Sequence, residues 1–407
     1  MKLEEVIDRR GTNSLKWDSV RSTSANPIPL WVADMDFPSP PSVSEALQER
    51  ARHPIYGYTR VPLTYTELLA SWYTSRSGQI YNSQDFIVAP GVMPSLVLAL
   101  RALTETRDRC LVMPPVYRPF YPLIQSHDRE VVECPLLRGD GGRYFLNWDE
   151  LEKTLKRCSG EKRPIKALVF CSPHNPVGRV WTREELTRLA LLAQEWDFWI
   201  LSDEIHSDLL SAGQVFVSLL ELEPSLRGRT VVVGGPCKTF NLAGLTISHF
   251  ITTNKNLTHL LKEACEAHFF ELPNVMSLTA AQAAYAHGAP WLAEVLQAID
   301  ENGQFLQSYF AEHLPPVVVT PREGTYLAWV DFSPLEKHSP WAEQGRAYSD
   351  DGALAQLIEA NTGVKISPGN WFMTGGKGFL RFNLACPRPL LQQGLERLVS
   401  FLNSKAL

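Results

Sequence analysis

The chain has 407 residues with 39 Lys+Arg and 44 Asp+Glu, a net charge of −5, and a composition of 44% apolar and 20% charged residues. These values are average for a protein that buries a full core, and a mildly acidic balance without a Lys/Arg block argues against nucleic acid as a ligand. No apolar run approaches the roughly 18 residues of a membrane helix, and the polar N-terminus lacks the apolar segment of a secretory signal, so we expect a cytoplasmic protein that does not bind membranes.

The first predicted element is an irregular N-terminal arm. Residues 1 to about 45 contain five prolines, namely Pro27, Pro29, Pro38, Pro40 and Pro41. Because proline disfavours helix in the residue before it, this stretch is interpreted as extended chain rather than regular structure. We expect the arm to return to the C-terminal part of the molecule.

Strand-like and helix-like segments alternate through the middle of the chain. Short apolar runs rich in β-branched residues predict strands at 85–90, 109–114, 165–172, 197–203, 229–234 and 248–253. Their near-continuous apolarity is typical of strands buried on both faces of a parallel sheet. Amphipathic stretches at 94–105 and 182–195 predict helices, the second with a capping box formed by Thr182 and Glu185. The alternation predicts an α/β fold with a mostly parallel sheet.

The C-terminal part has a different pattern. A long helix at 289–313 is followed by a strand at 326–332, a helix at 353–361, a strand at 379–384 and a closing helix. This order predicts a second, smaller α+β domain to which the N-terminal arm contributes. We therefore divide the chain into an arm (1–45), a large domain (46–280) and a small C-terminal domain (281–407).

The seven cysteines are widely scattered along the chain. None forms a C-x-x-C pair, which argues against a disulfide framework and against a zinc site. We expect reduced thiols and no bound metal.

Four sequence features follow predicted strands, and ligands of open α/β sheets gather at the carboxyl ends of strands. In the first, Gly91 permits a sharp turn before a helix, and the N–H groups from Val92 onward could bind a phosphate. Most glycine-containing turns of this kind bind nothing. In the second, Asn175 belongs to an Asn-Pro dipeptide that is usually turn chemistry, but its amide could donate to a phenolate-like oxygen.

Asp203 and Lys238 are the other two features. Asp203 ends an apolar strand, where it could cap a helix or, if buried, pair with a protonated ring nitrogen. Lys238 stands in an otherwise uncharged dozen residues, either as a surface residue with a buried stem or as an amine whose pKa is lowered by desolvation. An amine of the second kind is suited to imine formation.

Together, a phosphate-binding turn, an Asn, an Asp and a Lys in this chain order resemble the fold type I superfamily of pyridoxal 5′-phosphate (PLP) aminotransferases. The similarity is greater to one branch, the MalY/PatB-type cystathionine β-lyases and cystalysin-like C–S lyases. Five motifs carry the resemblance: Trp31-Val-Ala-Asp-Met-Asp36-Phe, His53-Pro-Ile-Tyr-Gly-Tyr58-Thr, Asp203-Glu-Ile-His206, Lys238-Thr-Phe-Asn-Leu-Ala-Gly-Leu245 and Arg381-Phe-Asn-Leu-Ala-Cys-Pro387. They span nearly the whole chain. The resemblance implies the fold type I architecture, PLP as cofactor and an amino acid as substrate.

The resemblance also implies a role for each residue around the cofactor ring. Lys238 would hold PLP covalently and then act as general base. Asp203 would keep the pyridine nitrogen protonated, and Asn175 would bind the ring hydroxyl oxygen. Tyr117 would stack on the ring face. His206 would approach the ring oxygen or simply pack at the end of its strand.

Phosphate and substrate contacts are implied in the same way. The backbone N–H groups of Val92 and Met93 would bind the phosphate. Tyr58 would reach the phosphate of the other subunit, which implies a homodimer. Arg381 would grip the substrate α-carboxylate with its bidentate fork, although a strand Arg more commonly forms a surface ion pair.

Three positions concern departures from the wider superfamily. Cys237 stands directly before Lys238, where many relatives carry Ser, so we expect no seryl contact to the phosphate from this position. Thr246 lies eight residues beyond the Lys, where many aminotransferases carry Arg, as expected for the C–S lyase branch. Arg118, beside Tyr117, lies at a variable position where it could touch a substrate side chain.

The reaction implied by the branch is α,β-elimination of L-cysteine S-conjugates such as L-cystathionine to a thiol, pyruvate and ammonia. Two alternatives stay open. The same cofactor, base and carboxylate clamp would serve an aminotransferase, because the two reactions diverge only after proton abstraction at Cα. The chain could also be a PLP-retaining interaction or regulatory protein, although its intact candidate residues argue against a loss of chemistry.

Overall fold

The computed structural model describes residues 3–20, 26–270, 272–337 and 351–404. The strands in chain order are β1 (Ile28–Pro29), β2 (Phe86–Ala89), β3 (Arg109–Val112), β4 (Glu130–Glu133), β5 (Leu137–Arg138), β6 (Tyr144–Phe145), β7 (Ile165–Cys171), β8 (Trp199–Asp203), β9 (Thr230–Gly234), β10 (Ser248–Ile251), β11 (Val318–Val319), β12 (Leu327–Asp331), β13 (Val364–Lys365), β14 (Ser367–Pro368) and β15 (Phe379–Asn383). The α-helices are α1 (Pro41–Arg52), α2 (Leu63–Arg76), α3 (Val92–Leu103), α4 (Phe120–Gln125), α5 (Trp148–Gly160), α6 (Arg183–Glu195), α7 (Pro236–Thr239), α8 (Lys255–Ala267), α9 (Val275–His287), α10 (Ala289–His313), α11 (Asp351–Thr362) and α12 (Arg388–Asn403). Positions 1–2 and 21–25 of the predicted arm lie outside the described residues.

A seven-stranded sheet in the order β2-β10-β9-β8-β7-β3-β4 forms the centre of the molecule. Its strands run parallel except for β10, which pairs antiparallel with both β2 and β9. All six strands predicted for the middle of the chain are confirmed, each slightly shorter than its apolar run. Sequence reasoning missed the edge strand β4, because its sequence, Glu-Val-Val-Glu, is short and buries only one residue.

The central strands are buried on both faces of this sheet. In β7, Leu168 and Phe170 belong to one apolar cluster, while the intervening Ala167 and Val169 belong to a second cluster. Successive side chains of a strand point to opposite faces. The near-continuous apolar runs in the sequence therefore reflect two cores, one on each side of the sheet.

The predicted helices are also present, with small shifts at their starts. Helix α6 begins after Thr182, whose hydroxyl accepts from the Glu185 N–H at 3.2 Å while a Glu185 carboxylate oxygen accepts from the Thr182 N–H at 2.8 Å. The predicted capping box is thus confirmed. Helix α3 begins at Val92, two residues earlier than predicted, directly after Gly91. No helix in the described stretches is long and apolar enough to cross a membrane.

A second, four-stranded antiparallel sheet in the order β11-β12-β15-β14 lies in the C-terminal part. The N-terminal arm does return to this part, since β1 pairs in parallel with β13 through Ile28 and Val364. The arm is less irregular than predicted: it contains β1, and α1 begins within it at Pro41, because proline is favoured in the first turn of a helix. The division of the chain at residues 45 and 280 stays a prediction.

Candidate active site

A cavity of about 280 Å³ lies at the carboxyl ends of the parallel strands. Seven of the nine candidate residues line it: Val92, Met93, Tyr117, Asn175, Asp203, His206 and Lys238. Asp203 is the last residue of β8, and the others lie in the segments that follow β2, β3, β7, β8 and β9. The position of the cavity agrees with the general placement of ligands in open α/β sheets.

Lys238 lies on α7, a single helical turn that follows β9. Its Nζ donates a hydrogen bond to the backbone oxygen of Ala33, a residue far away in the sequence. Burial lowers the pKa of Lys238, an effect opposed by the nearby Cys237 thiol and the Asp34 and Asp203 carboxyls. A lowered pKa makes the neutral, nucleophilic amine more accessible near neutral pH.

Asp203 is the last residue of β8 and is 3% exposed. One carboxylate oxygen accepts from the Ile205 N–H at 3.1 Å. Burial raises the pKa of Asp203 to about 7. None of the Lys, Arg or His side chains in the described ranges forms an ion pair with it. A buried carboxyl that still lacks a cationic partner fits a protonated ring nitrogen placed in the cavity.

The start of α3 forms another wall of the cavity. Gly91 has φ 141°, a backbone conformation that favours glycine, and its N–H donates to the Ser248 hydroxyl at 3.0 Å. No side chain caps this helix. The first N–H groups of an uncapped helix, here those of Val92 and Met93, can bind a phosphate.

Arg381 lies on β15 of the second sheet and contacts the cavity-lining residue Asn175. Its Nη1 donates to Asn175 Oδ1 at 3.0 Å, and its Nη2 donates to the backbone oxygen of Trp31 at 2.7 Å and to the Ser367 hydroxyl at 3.3 Å. The guanidinium lies over the Phe372 ring at 4.8 Å.

The charge of this guanidinium is not neutralised by a carboxylate within the part of the chain that the structure describes. Arg381 is 6% exposed, and burial lowers its pKa to about 10, which leaves it protonated at neutral pH. Its Nε has no hydrogen-bond partner among the described residues. A buried, unpaired guanidinium is suited to binding a carboxylate of a ligand.

Tyr117 and His206 both line the cavity. The Tyr117 ring meets Phe120 edge-on with 5.7 Å between ring centroids, and burial raises the pKa of its phenol. Burial lowers the pKa of His206 to about 3, so its ring is neutral, and it meets Tyr326 edge-on at 5.7 Å. Arg118 beside Tyr117 is exposed. The roles expected for these side chains stay predictions.

Unlike Arg381, which contacts the lining residue Asn175, Tyr58 lies away from this chain's cavity. Its side chain is 98% exposed and lies between α1 and α2. The nearby side chains of Ile55, Tyr56 and Leu63 are 67%, 58% and 65% exposed. The exposure leaves its hydroxyl free to contact another molecule. Its expected contact with the phosphate of a second subunit stays a prediction.

Sequence reasoning missed the contribution of backbone carbonyls to the site. The oxygen of Ala33 accepts from Lys238, and that of Trp31 accepts from Arg381. Both residues belong to a motif that carries the family resemblance, but its sequence does not predict these contacts. A backbone carbonyl is present in every residue, so the residue type does not show which carbonyls face the site. Thr246, noted as a departure, proves to line the cavity close to Gly91.

Comparison with known proteins gives consistent relationships over the full chain. The sequence profile of the family "Aminotransferase class I and II" matches residues 25–398. The chain is 34% identical over 406 residues to cystathionine beta-lyase PatB of Bacillus subtilis (strain 168), covering 99% of this chain and 100% of that protein. The structure of cystalysin from Treponema denticola, which contains a pyridoxal 5′-phosphate cofactor, superimposes with a TM-score of 0.89 at 32% identity and covers 98% of each chain. The PLP-bound C–S lyase from Staphylococcus hominis gives a TM-score of 0.89 at 32% identity, covering 99% of this chain and 98% of that one.

These similarities bear directly on the expected fold. TM-scores near 0.9 over the whole length, to structures that hold PLP, confirm the fold type I architecture predicted from the strand-end motifs. The resemblance to the PatB and cystalysin branch is confirmed as well.

Proposed function

The chain belongs to the aminotransferase class I and II family and is a PLP-dependent enzyme, and on that premise we propose that it is a carbon–sulfur β-lyase. The proposed substrates are L-cysteine S-conjugates such as L-cystathionine. The observation that carries the proposal is a cavity lined by Lys238, Asp203 and Asn175. Asn175 accepts a hydrogen bond from Arg381, whose guanidinium has no carboxylate partner among the described residues. The names of the similar proteins, a cystathionine beta-lyase, a cystalysin and a C–S lyase, support the choice of reaction.

The lining residues fit PLP by their chemistry. We propose that Lys238 holds the aldehyde carbon of PLP and that Asp203 holds its ring nitrogen, since a buried carboxyl without a cation accepts such a partner. Asn175 would bind the ring hydroxyl oxygen, with His206 near it, and Tyr117 would cover the ring. The phosphate would lie at the uncapped start of α3.

PLP supplies an electron sink for the electron pair that remains when the Cα proton is removed. The protein residues determine which proton moves and which bond breaks. Arg381 binds the α-carboxylate through its bidentate fork, which fixes the orientation of Cα. Lys238 Nζ, with its pKa lowered by burial, takes the Cα proton as general base.

Expulsion of the β-sulfur as a thiol completes the elimination. The electron pair left at Cα forms the Cα–Cβ double bond as the Cβ–S bond breaks, and the thiolate leaves with the sulfur electrons. One proton converts the thiolate to the thiol. The three-carbon product then takes up water to give pyruvate and ammonia, so no oxidant or reductant is required.

A test with L-cystathionine separates this reaction from transamination. We expect the holoenzyme to form pyruvate and a thiol without an added keto acid. Dependence on a keto acid, with no thiol released, would instead identify an aminotransferase. Thr246 stands where many aminotransferases carry Arg, as expected for the C–S lyase branch, and so supports elimination.

We also propose that the enzyme is a cytoplasmic homodimer in which Tyr58 of each chain contacts the phosphate bound by its partner. The exposed apolar side chains around Tyr58 support this arrangement, because contiguous exposed apolar surface is typical of interaction sites.

Two further experiments complete the test. A screen of thiol release over several cysteine S-conjugates would determine which leaving groups the enzyme accepts. Sedimentation of the holoenzyme would establish its oligomeric state.

A further inference from the structure

A buried carboxylate joins residues 9–17 of the N-terminal arm to the candidate active site. Asp36 is 4% exposed. Its Oδ2 accepts from Lys16 Nζ at 2.6 Å, and its Oδ1 accepts from Trp17 Nε1 at 2.8 Å and from Arg9 Nη1 at 2.9 Å. The Lys16 side chain is fully buried at 0% exposure. Three donors from the arm therefore converge on one carboxylate.

Residues 9–17 also form hydrogen bonds to the chain that precedes Asp36. Lys16 Nζ also donates to the backbone oxygen of Asp34 at 2.7 Å, and Arg9 Nη2 donates to the Asp34 carboxylate at 2.8 Å. The Lys16 backbone oxygen accepts from Trp31 Nε1 at 3.0 Å. Residues 31–36, called here the carbonyl segment, are thus held at both ends by residues 9–17.

The opposite side of the carbonyl segment faces the site. The Trp31 oxygen accepts from Arg381 Nη2, and the Ala33 oxygen accepts from Lys238 Nζ. Ala33 itself lines the cavity. The arm and the site are consequently connected through one short stretch of backbone, with two of its carbonyls on the two cations of the site.

A buried ion pair is a poor source of stability, because the cost of desolvating both charges offsets much of their attraction. Such a pair does restrict geometry, since its strong hydrogen bonds are satisfied in few arrangements. Replacing the ammonium of Lys16 would leave the Asp36 carboxylate with only two donors. The carbonyl segment would then be free to move relative to Arg381.

We propose that Asp36, with its partners Lys16 and Arg9, is a positioning residue for substrate binding. It holds the Trp31 carbonyl where this oxygen orients the Arg381 guanidinium toward the substrate α-carboxylate. The inference rests on the proposed function in one respect, namely that Arg381 binds that carboxylate. Its effect falls on ligand affinity rather than on proton transfer.

The test uses the PLP-loaded enzyme and 2-methylalanine, an amino acid that has no Cα proton, so its binding cannot proceed to proton abstraction or elimination. Binding is followed by the change in the visible absorption of the cofactor, and KM and kcat are measured with a cysteine S-conjugate. We expect Lys16→Met and Arg9→Gln to raise both the dissociation constant and KM about tenfold, with kcat within about twofold. The visible spectrum of the resting enzyme should stay unchanged.

Asp8→Asn is the matched control, because Asp8 forms an exposed ion pair with Arg10 on the same arm. It should leave both constants unchanged. If Lys16→Met does not fold, the half-buried Arg9 variant decides the outcome. Unchanged ligand affinity in a folded variant, or a fall in kcat alone, would overturn the inference. If the wild type released no thiol from any conjugate, the proposed function would fail while the 2-methylalanine titration still tested the positioning role.

Discussion

Arg381 Nη1 donates a 3.0 Å hydrogen bond to Asn175 Oδ1, although the two residues are 206 positions apart. Arg381 belongs to β15 of the C-terminal sheet, whereas Asn175 follows β7 of the central sheet. The proposed substrate clamp and the proposed contact to the cofactor ring are therefore coupled. A substitution at Asn175 should therefore affect substrate binding by Arg381, and a substitution at Arg381 should affect cofactor binding by Asn175.

Asn175→Ala tests this coupling. Removal of the amide leaves a buried, charged donor of Arg381 without a partner, which costs about 1.5–3 kcal/mol. We expect KM for a cysteine S-conjugate to rise about tenfold or more and the affinity for PLP to fall. Both are measured by steady-state kinetics and by titration of the cofactor-free protein. Ser367→Ala, which removes a longer 3.3 Å contact to the same guanidinium, should have a much smaller effect.

Arg381→Lys tests the carboxylate clamp itself. A lysine keeps the positive charge but replaces the planar fork by a single point of contact, so we expect KM to rise roughly 10- to 100-fold. Lys at this position also cannot reach Asn175 and Trp31 together. The matched change Arg183→Lys, at a half-exposed side chain on α6, should leave KM unchanged. Equal KM values for the two variants would refute the assignment.

Lys238→Ala tests the covalent attachment and the general base. We expect thiol release to fall by at least about 10³-fold, because a positioned base alone contributes about 10²–10⁴. Borohydride treatment followed by peptide mapping should label residue 238 in the wild type and leave the variant unlabelled. Lys377→Ala, at an exposed side chain, serves as control. Labelling of another lysine in the wild type would contradict the proposal.

Asp203 should make the stability of the cofactor-free protein depend on pH. Burial raises its pKa from 3.8 to about 7, so the folded state binds the proton more tightly than the unfolded state. The contribution to stability is full below about pH 4 and is lost as the pH rises through about 7, by at most about 4 kcal/mol at 1.36 kcal/mol per pKa unit.

The measurement compares the free energy of unfolding at pH 5 and pH 8. We expect the cofactor-free wild type to lose more stability over this interval than Asp203→Asn, in which the titrating group is absent. Glu204, whose pKa burial raises to about 8, titrates in both proteins and cancels in the comparison. Bound PLP should reduce the difference, because a ring cation would pair with the carboxylate. Identical pH profiles would show that Asp203 is solvated.

Tyr58→Phe tests the proposed contact across the dimer. Loss of the hydroxyl should weaken PLP binding roughly 10- to 100-fold, the effect of one hydrogen bond to a charged group, while sedimentation still shows a dimer. Tyr56→Phe is the matched control, because the Tyr56 hydroxyl donates to the Ala51 carbonyl of its own chain at 3.1 Å. A monomeric holoenzyme with full PLP affinity would rule out the contact.

Much of the architecture could be predicted from local sequence patterns. The apolar runs that became β7 and β8, the capping box at Thr182 and the long helix α10 each follow from short-range chemistry. The residue types of the site were also visible, since Asn175, Asp203 and Lys238 each follow a predicted strand. The edge strand β4 was not predicted, because a strand with only one buried residue lacks a recognisable run of apolar residues.

Tertiary structure alone decided how these residues meet. The sequence determined that an Arg stands at position 381, but its contact with the Trp31 carbonyl joins positions 350 residues apart. A backbone carbonyl looks the same in every residue, so no composition or periodicity reveals which ones face a site. Their placement depends on the return of the N-terminal arm to β13 and on the buried carboxylate of Asp36. Side-chain chemistry is encoded locally, whereas the orientation of the groups that act together is a property of the folded chain.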